Sequence, residues 1–393
     1  MTSTDRRALN PVFEGLGTTI FTVMSALALE HGAINLGQGF PDEDGPIGIR
    51  EAAAKALIEG PNQYPPMQGV PALRRAIASH AKRFYDLDFD PETEVLVASG
   101  GTEALTDCIM GLIAPGDEAI LIEPCYDSYP PILDAMGAKT RSLRLAAPDF
   151  RLTEEALAAV FSERTKLIMV NSPLNPMGRV FDLGELELLA SFLKRYDAYA
   201  VCDEVYEHLV FDGRAHIPLI SLPGMHERCV RVGSAGKMFS LTGWKIGWIA
   251  GPARLVQVIA KAHQFNTFTT SPALQLGVAH GLLHEMDFAL ENTRALQAKR
   301  DLIGAALRQA GFGVRASEGT YFITASIKGL TNEPDTEFCK RLTREAGVTP
   351  IPLSVFYSTG GPAGIVRFAF CKKAPVLEEA GKRLKAHFSA GVR

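Results

Sequence analysis

The most constraining feature of this sequence is a series of short apolar runs that alternate with helix-like stretches from about residue 95. Such runs predict strands buried on both faces, and the helices between them predict a largely parallel sheet covered on both sides. One further run follows the last of these with no room for a helix, so we expect that strand to be antiparallel. The predicted strands are 95–98, 119–122, 166–170, 200–202, 229–232 and the antiparallel 246–250.

Three helices are predicted between these strands, at about 102–112, at 127–136 and from Asp182 to residue 192. Asp182 stands at the start of the last of these, in a position to cap it. The sequence thus predicts an α/β fold with one large sheet.

The pattern changes past about residue 285, where a long helical stretch is followed by two short strand-like runs with helices beside them. This order predicts a smaller α+β domain. The first 45 residues are rich in loop-forming residues and fit neither block. We therefore predict three parts, at 1–45, 46–285 and 286–393, with no internal repeat and no long linker.

Composition excludes several classes of protein. The 393 residues are 47% hydrophobic and 21% charged, which is close to the average for globular proteins. A net charge of −4 gives no field that attracts nucleic acid or an anionic membrane, so we expect neither as a partner. No apolar stretch approaches the roughly 18 residues of a spanning helix, and the N-terminus lacks the apolar core of a signal peptide.

The six cysteines form no CxxC pair and show no metal-binding spacing with histidine. We therefore expect reduced, mostly buried thiols in a cytoplasmic protein, and no metal.

Polar residues follow the predicted strands where the strands end. Ligands bind at the carboxyl ends of strands in open α/β sheets, so these residues are candidates for a site. Glycines at the start of a helix let backbone N–H groups approach an anion. The strand ends carry Ser99-Gly-Gly-Thr102, then Asn175, then Asp203 and Tyr206, and last Ser234 with Lys237 and, a little later, Lys245. This set suits a phosphorylated ring with an amine-reactive carbonyl.

Three segments, 17–26, 34–42 and 234–245, resemble the class I aminotransferases of fold type I, which use pyridoxal 5'-phosphate (PLP). The branch that they resemble most is that of the kynurenine, glutamine and methionine transaminases. The resemblance spans about residues 12–370. It implies a seven-stranded, mostly parallel sheet with a smaller domain, and an N-terminal segment that packs against the small domain and the active site.

The resemblance implies transfer of an amino group from an L-amino acid to a 2-oxo acid by a ping-pong mechanism. Lys237 resembles the Schiff-base lysine, which also moves the Cα proton. Asp203 resembles the acid that keeps the pyridine nitrogen protonated. Tyr206 and Asn175 match the two donors to the phenolate oxygen of the ring, and Tyr126 matches the aromatic residue that stacks on it.

The phosphate of the cofactor is matched by the amides of Gly101 and Thr102, the hydroxyl of Ser234 and the charge of Lys245. Many class I members carry Arg at this last position, whereas the kynurenine/glutamine branch commonly carries Lys. Tyr64 matches the tyrosine that reaches the phosphate of the neighbouring subunit. The resemblance therefore implies a homodimer with shared active sites.

Arg367 lies inside an apolar strand-like run, where an unpaired charge is costly to bury. It matches the arginine that binds the substrate α-carboxylate, with Gly39 and Asn175 beside that carboxylate. Phe40 and Phe268, with Tyr64 and Tyr126, could line an apolar pocket. Such a pocket suits methionine, glutamine, aromatic side chains or kynurenine. Thr269, where some kynurenine transaminases have His, weakens the case for kynurenine.

Each residue also has a simpler interpretation. Lys237 could be a surface lysine, Asp203 a helix cap, Asn175 a turn residue, and Arg367 the partner of a protein carboxylate; the tyrosines could be core or surface residues. Two other activities on this fold stay open. They are carbon–sulfur β-lysis of cysteine conjugates and transamination of an acylated diamino acid such as N-succinyldiaminopimelate. A PLP-binding DNA regulator lacks a basic module here, and a nicotinamide dehydrogenase lacks its GxGxxG turn.

Overall fold

The computed structural model describes residues 9–390. None of the helices in this range is long and apolar enough to cross a membrane. The strands are β1 Ile34–Asn35, β2 Val95–Ala98, β3 Glu118–Glu123, β4 Lys139–Arg144, β5 Thr165–Asn171, β6 Tyr199–Asp203, β7 Cys229–Ser234, β8 Gly247–Ala250, β9 Gly313–Val314, β10 Phe322–Ser326, β11 Val348–Thr349, β12 Ile351–Pro352 and β13 Ile365–Ala369. The helices are α1 Pro11–Glu14, α2 Ile20–Glu30, α3 Ile47–Glu59, α4 Pro71–Tyr85, α5 Gly100–Leu112, α6 Tyr129–Ala135, α7 Glu154–Val160, α8 Leu183–Arg195, α9 Ala235–Met238, α10 Ala253–Asn266, α11 Pro272–His284, α12 Met286–Gln309, α13 Asp335–Glu345 and α14 Ala374–Ala390.

A seven-stranded sheet is the centre of the larger part of the molecule, with the strand order β2-β8-β7-β6-β5-β3-β4. The pairs among β3 to β7 are parallel, and β8 is antiparallel to both of its neighbours. The α/β fold and the antiparallel strand predicted from the sequence are therefore confirmed. The link between β7 and β8 holds the single turn of α9 rather than a crossover helix.

The inner strands are apolar because helices cover both faces of this sheet. Alternate residues point to opposite sides, so that Val97 packs in one apolar layer and Leu96 in the other. The layer that contains Leu96 includes α5 and α10, and close contact between these helices is possible where Gly111 faces the backbone of Ile259. This packing fixes the start of α5 against the carboxyl ends of the strands.

A smaller sheet with the order β12-β13-β10-β9 is antiparallel throughout, and it forms the smaller α+β part together with α12, α13 and α14. The N-terminal part of the chain joins this region, since β1 pairs in parallel with β11. The amide of Ala369 also donates to the carbonyl of Leu36 at 2.6 Å. The division at 45/46 and 285/286 remains our proposal for the domain boundaries.

Several elements were not predicted, among them α3, α4, α10 and α11, and two of the differences have a clear physical reason. The loop-rich N-terminal segment contains an 11-residue helix, α2, whose cap is Thr19. Edge strand β4 was not predicted, because its sequence, Lys-Thr-Arg-Ser-Leu-Arg, is polar and mostly exposed. The predicted cap of α8 is confirmed: Asp182 accepts from the amide of Glu185, and Glu185 accepts from the amide of Asp182.

Candidate active site

A cavity of about 370 Å³ lies at the carboxyl ends of β5, β6 and β7 and at the start of α5. It brings together residues that are far apart in the sequence and that the strand-end argument selected. Of the predicted site residues, those that line it are Gly39, Gly101, Thr102, Tyr126, Asn175, Asp203, Tyr206, Ser234, Lys237, Lys245 and Arg367.

Asp203 is the last residue of β6, and only 5% of it is exposed. One carboxylate oxygen accepts a hydrogen bond from the hydroxyl of Tyr129, and the other accepts from the amide of Val205 at 3.3 Å. Burial raises the pKa of Asp203 to about 6, although the hydroxyl and the amide act against this rise. The carboxylate is thus held in a fixed direction beneath the cavity, where a cationic partner would stabilise its ionised form.

Lys237 lies in the single turn of α9, directly after the end of β7. Its Nζ atom is 6.0 Å from the ring centre of Tyr206 and 5.9 Å from that of Tyr321. Burial lowers the pKa of this amine, and the charge of Lys245 lowers it further, against the effect of nearby acidic groups. A lysine in such surroundings is more readily a neutral nucleophile than one at the surface.

Asn175 links the strand ends to the smaller sheet. Its backbone N–H donates to Oδ1 of Asn171 at 2.8 Å, and Nδ2 of Asn171 donates to the backbone carbonyl of Asp203 at 2.9 Å. Oδ1 of Asn175 accepts from Arg367, so its side-chain amide keeps its N–H groups for a ligand. Burial raises the pKa of Tyr206 well above its usual value, so the hydroxyl keeps its proton and can donate.

Arg367 lies in β13 and is 1% exposed. Its guanidinium donates to Oδ1 of Asn175 at 2.9 Å and to the carbonyl of Gly37 at 2.8 Å, and it lies 3.9 Å from the ring centre of Phe322. Both oxygens belong to neutral groups, and Nε is buried with no hydrogen-bond partner among residues 9–390. Burial lowers its pKa to about 10. A buried arginine of this kind favours a bound anion.

The start of α5 forms a cradle for an anion. Gly100 has φ +84°, a conformation that side chains rarely adopt, and a Cβ atom there would lie 3.1 Å from Cε of Lys245. The next residues, Gly101 and Thr102, face the cavity in the first helical turn, where backbone N–H groups have no partner within the helix. Amides and a lysine around a narrow space suit a phosphate group.

Three predicted site residues lie outside the cavity in the single chain. Tyr64 is 83% exposed, and its ring packs edge-to-face against Phe268 with 5.6 Å between ring centres. Phe268 has φ +70° and is 39% exposed. Phe40 is 50% exposed, with Nζ of Lys372 4.0 Å from its ring centre.

Several lining residues were missed by the sequence argument. Asn171 ends β5, so the strand-end rule could have selected it. Asp127 lines the cavity in the same short segment as Tyr126. Tyr129, the first residue of α6, does not line it but donates to Asp203, and this contact depends on the direction in which α6 leaves the sheet. Further missed lining residues include Phe21 and Gln38 from the N-terminal part and Phe322 from the smaller sheet.

Comparison with known proteins decides the family. The family model described as "Aminotransferase class I and II" matches residues 31–384. The chain belongs to this family. It is a PLP-dependent aminotransferase.

Its relatives include two bacterial enzymes. The chain is 44% identical to the probable N-succinyldiaminopimelate aminotransferase DapC of Mycobacterium tuberculosis, over 93% of this chain and 95% of that protein. It is 40% identical to the methionine aminotransferase of Escherichia coli K12, over 94% of this chain and 96% of that protein. The solved structure of the M. tuberculosis N-succinyldiaminopimelate aminotransferase superposes with a TM-score of 0.94 at 43% identity, over 96% of this chain and all of that one. The expected relation to the methionine branch is thus confirmed.

The cavity fits PLP. The cofactor carries a phosphate, a carbonyl carbon that reacts with amines and a basic ring nitrogen. The cradle around Gly100, the amine of Lys237 and the buried carboxylate of Asp203 offer one complementary group to each. The unpartnered Nε of Arg367 is then left for a further anion.

Proposed function

We propose that this aminotransferase carries out both half-reactions in the cavity described above. This proposal depends on the set of charged and basic groups that line the cavity. Lys237, Lys245 and Arg367 face it together with one buried carboxylate, Asp203. None of these three basic side chains has a carboxylate as a hydrogen-bond partner among residues 9–390. Two cations, Lys245 and Arg367, beside the buried amine of Lys237 favour a cofactor with a phosphate and an amine-reactive carbonyl, and a substrate with a carboxylate.

Bound PLP supplies an electron-poor ring that stabilises negative charge at the substrate Cα. Asp203, oriented by Tyr129, holds a proton on the ring nitrogen. With the cofactor bound, Lys237 would supply the amine that holds its carbonyl and the base that moves the proton from Cα. Its lowered pKa favours the neutral form that such a base needs.

The remaining residues position the ring. Tyr206 and the free amide N–H of Asn175 donate to the ring oxygen, and Tyr126 covers one face. Gly101, Thr102, Ser234 and Lys245 hold the phosphate. Arg367 binds the substrate α-carboxylate. Gly39 lines the cavity beside it, and a Cβ atom there would lie 2.6 Å from the ring of Phe322, which packs against Arg367.

We infer that the preferred amino donor has an uncharged side chain, such as methionine, glutamine or an aromatic amino acid. In this proposal Lys245 is engaged with the phosphate, the amine of Lys237 with the cofactor carbonyl, and Arg367 with the α-carboxylate, so no cation is left for a side-chain carboxylate. Asp127 adds a negative charge at the cavity mouth. A side-chain carboxylate, as in glutamate, would meet this charge. The similarity to a methionine aminotransferase supports this choice.

A second candidate donor is N-succinyldiaminopimelate. It is favoured by the 44% identity to the probable enzyme for that substrate. This molecule carries its extra carboxylates far from the reacting carbon, so they need not lie beside Asp127. Direct comparison of the two donors separates the candidates.

We further propose a cytoplasmic homodimer with shared active sites. All six cysteines are buried and free, as in proteins of a reducing compartment. Tyr64 and Phe268 form an exposed aromatic pair, which a partner subunit would cover. Tyr64 of each subunit would then reach the phosphate of the other.

The visible absorption spectrum of the purified holoenzyme tests the proposal. Addition of L-methionine without an oxo acid is expected to convert the cofactor band to that of the aminated cofactor, and an added 2-oxo acid should reverse it. L-Glutamine, L-phenylalanine, L-kynurenine, L-glutamate and N-succinyldiaminopimelate complete the panel.

Lys237→Ala is the control variant, and it should keep bound cofactor but transaminate at less than about a thousandth of the wild-type rate. A faster Lys237→Ala enzyme contradicts the assignment of Lys237. Release of pyruvate and thiol from a cysteine conjugate without oxo acid would instead indicate a β-lyase.

A further inference from the structure

A second buried polar cluster lies behind the phosphate cradle, on the side away from the cavity. Glu103 and Asp107 are one turn apart on α5, and His263 and Asn266 face them from α10. Nδ1 of His263 lies 2.7 Å from Oε1 of Glu103 and 3.2 Å from Oδ2 of Asp107. Asn266 donates to the other oxygen of Asp107 at 3.0 Å.

Glu103 connects this cluster to the cradle. Its second carboxylate oxygen accepts the amide N–H of Ser99, the residue that precedes α5. Glu103 thereby closes the turn that presents the amides of Gly101 and Thr102 to the cavity. The position of those amides depends on the position of this one carboxylate.

The same carboxylate creates an electrostatic problem. It lies in the first turn of α5, next to the amides that would bind the phosphate dianion of PLP. A negative charge there competes with the phosphate for the positive end of the helix and repels it. The cradle therefore requires a positive charge close to Glu103.

His263 is placed to supply that charge. Its side chain is fully buried, and its Nδ1 atom lies within hydrogen-bond distance of the carboxyl groups of both Glu103 and Asp107. These hydrogen bonds and charges raise the pKa of His263 to about 9, against the effect of burial, and the histidine in turn lowers the pKa of Glu103. Nδ1 of His263 lies closer to Glu103 than to Asp107, and burial raises the pKa of Asp107, so we assign the ion pair with His263 to Glu103.

We propose that His263 is a positioning residue for the cofactor phosphate: as an imidazolium bonded to Glu103, it neutralises that carboxylate and holds the Ser99 turn in its phosphate-binding form. This inference rests on the proposed placement of the phosphate at the start of α5. It assigns a role to a side chain that touches neither cofactor nor substrate.

The test compares the dissociation constants of PLP and of pyridoxal, which lacks the phosphate, for the apoprotein. His263→Asn keeps an N–H donor near the place of Nδ1 but removes the charge. The preference for PLP over pyridoxal should fall about tenfold, with pyridoxal affinity unchanged. The ³¹P resonance of bound PLP should shift as well, because the phosphate would sit in an altered set of amides.

Two further variants separate charge from packing. Glu103→Gln should keep the wild-type preference, since the repelling charge is gone and an oxygen for Ser99 remains. The double variant Glu103→Gln/His263→Asn should recover the preference that His263→Asn loses. His280→Asn, the same change on α11 and outside the cavity lining, is the matched control.

The outcomes are distinct. An unchanged preference in a folded His263→Asn protein, or equal weakening of PLP and pyridoxal, would overturn the inference while the wild-type measurement still supports the cofactor site. Failure of the double variant to recover would also overturn it. A wild-type protein that shows no preference for PLP over pyridoxal would instead contradict the proposed phosphate site. Circular dichroism of each apoprotein establishes that it is folded.

Discussion

At the scale of single residues, Arg367 is expected to contribute to substrate affinity at a cost to the stability of the empty protein. Its guanidinium is buried, and its two acceptors are neutral oxygens. For Arg367→Met, kcat/KM for L-methionine should fall by about two to three orders of magnitude, since losing a buried charged partner costs about 3–4 kcal/mol. Steady-state kinetics measures this loss.

Two controls accompany Arg367→Met. Arg367→Lys should lose less activity, because the charge remains while the two-pronged geometry is lost. Slow deamination of an amine that lacks the carboxylate should be the same in wild type and variant. A similar loss for that amine would show that Arg367 supports the fold of the site rather than the carboxylate.

The raised pKa of Asp203 leads us to expect that the stability of the apoprotein depends on pH. Its folded-state pKa of about 6 lies above the ordinary value of 3.8, so the folded protein binds this proton more tightly than the unfolded chain does. The stability that this group contributes is full below pH 4 and is lost as the pH rises through 6. Asp203→Asn should therefore stabilise the apoprotein at pH 7, by up to about 3 kcal/mol, and have little effect near pH 4.

Urea unfolding of both apoproteins at the two pH values measures this difference. Addition of PLP should reverse the order at pH 7, because the cationic ring nitrogen stabilises the wild-type carboxylate. An Asp203→Asn protein that is less stable than wild type at pH 7 without cofactor would show that the hydrogen bonds to Tyr129 and Val205 outweigh the cost of burial.

Asp127 carries a prediction about specificity. Its charge lies at the cavity mouth, and the proposed function assigns it no cofactor group. Asp127→Asn should raise kcat/KM for L-glutamate about tenfold relative to L-methionine, since removal of a like charge is worth about 1.4 kcal/mol at such a site. Asp127→Glu keeps the charge and should keep the wild-type ratio. An unchanged ratio in Asp127→Asn would place the side chain of the substrate elsewhere.

At the scale of elements, the start of α8 allows a clean test of local stability. Asp182 accepts from the amide of Glu185 at 3.0 Å in a complete capping box. Asp182→Ala should destabilise the protein by about 1 kcal/mol, measured as a lower thermal midpoint with unchanged activity. Asp182→Asn keeps the cap but loses the ion pair with Arg151, and should cost less. Equal losses would assign the effect to the ion pair.

The same scale explains which parts of the fold the sequence could predict. Inner strands such as β3 and β5 are buried on both faces and therefore read as continuous apolar runs. Edge strand β4 is mostly exposed, so nothing in its polar sequence distinguishes it from a loop. The helix α2 has two buried residues, Met24 and Ala28, and this is too few for a helical repeat of apolar residues to be recognised in the sequence.

The site divides in a similar way. Asp203 and Lys237 follow strands directly, so the rule that ligands bind at strand ends was enough to bring them together. The bond between Arg367 and Asn175 joins two sheets, and its register depends on packing between distant parts of the chain. Tyr64 and Phe268 lie at the surface of the single chain, and their proposed contribution to the site depends on a second copy of the chain.

At the scale of the whole molecule, the exposed apolar side chains favour an assembled form. Tyr64, Ile58 and Phe265 are each more than four-fifths exposed, and together they offer apolar surface that a partner subunit could cover. Burying such groups in a symmetric interface would stabilise a dimer. Sedimentation of the holoenzyme should therefore show twice the mass of the 42.5 kDa chain.

A shared active site makes a sharper prediction. Tyr64→Ala and Lys237→Ala should each have low activity, since one loses a phosphate contact to its partner and the other loses the catalytic amine. When the two variants are co-expressed, a mixed dimer holds one intact site, formed by Lys237 of the Tyr64→Ala chain and Tyr64 of the Lys237→Ala chain. Random pairing makes half of the dimers mixed, with one good site of two, so activity should recover to about a quarter of wild type. If Tyr64 served its own subunit, the mixed dimer would contain no intact site and activity would stay low. The recovery therefore distinguishes a shared site from two independent ones, even if both arrangements give the same mass.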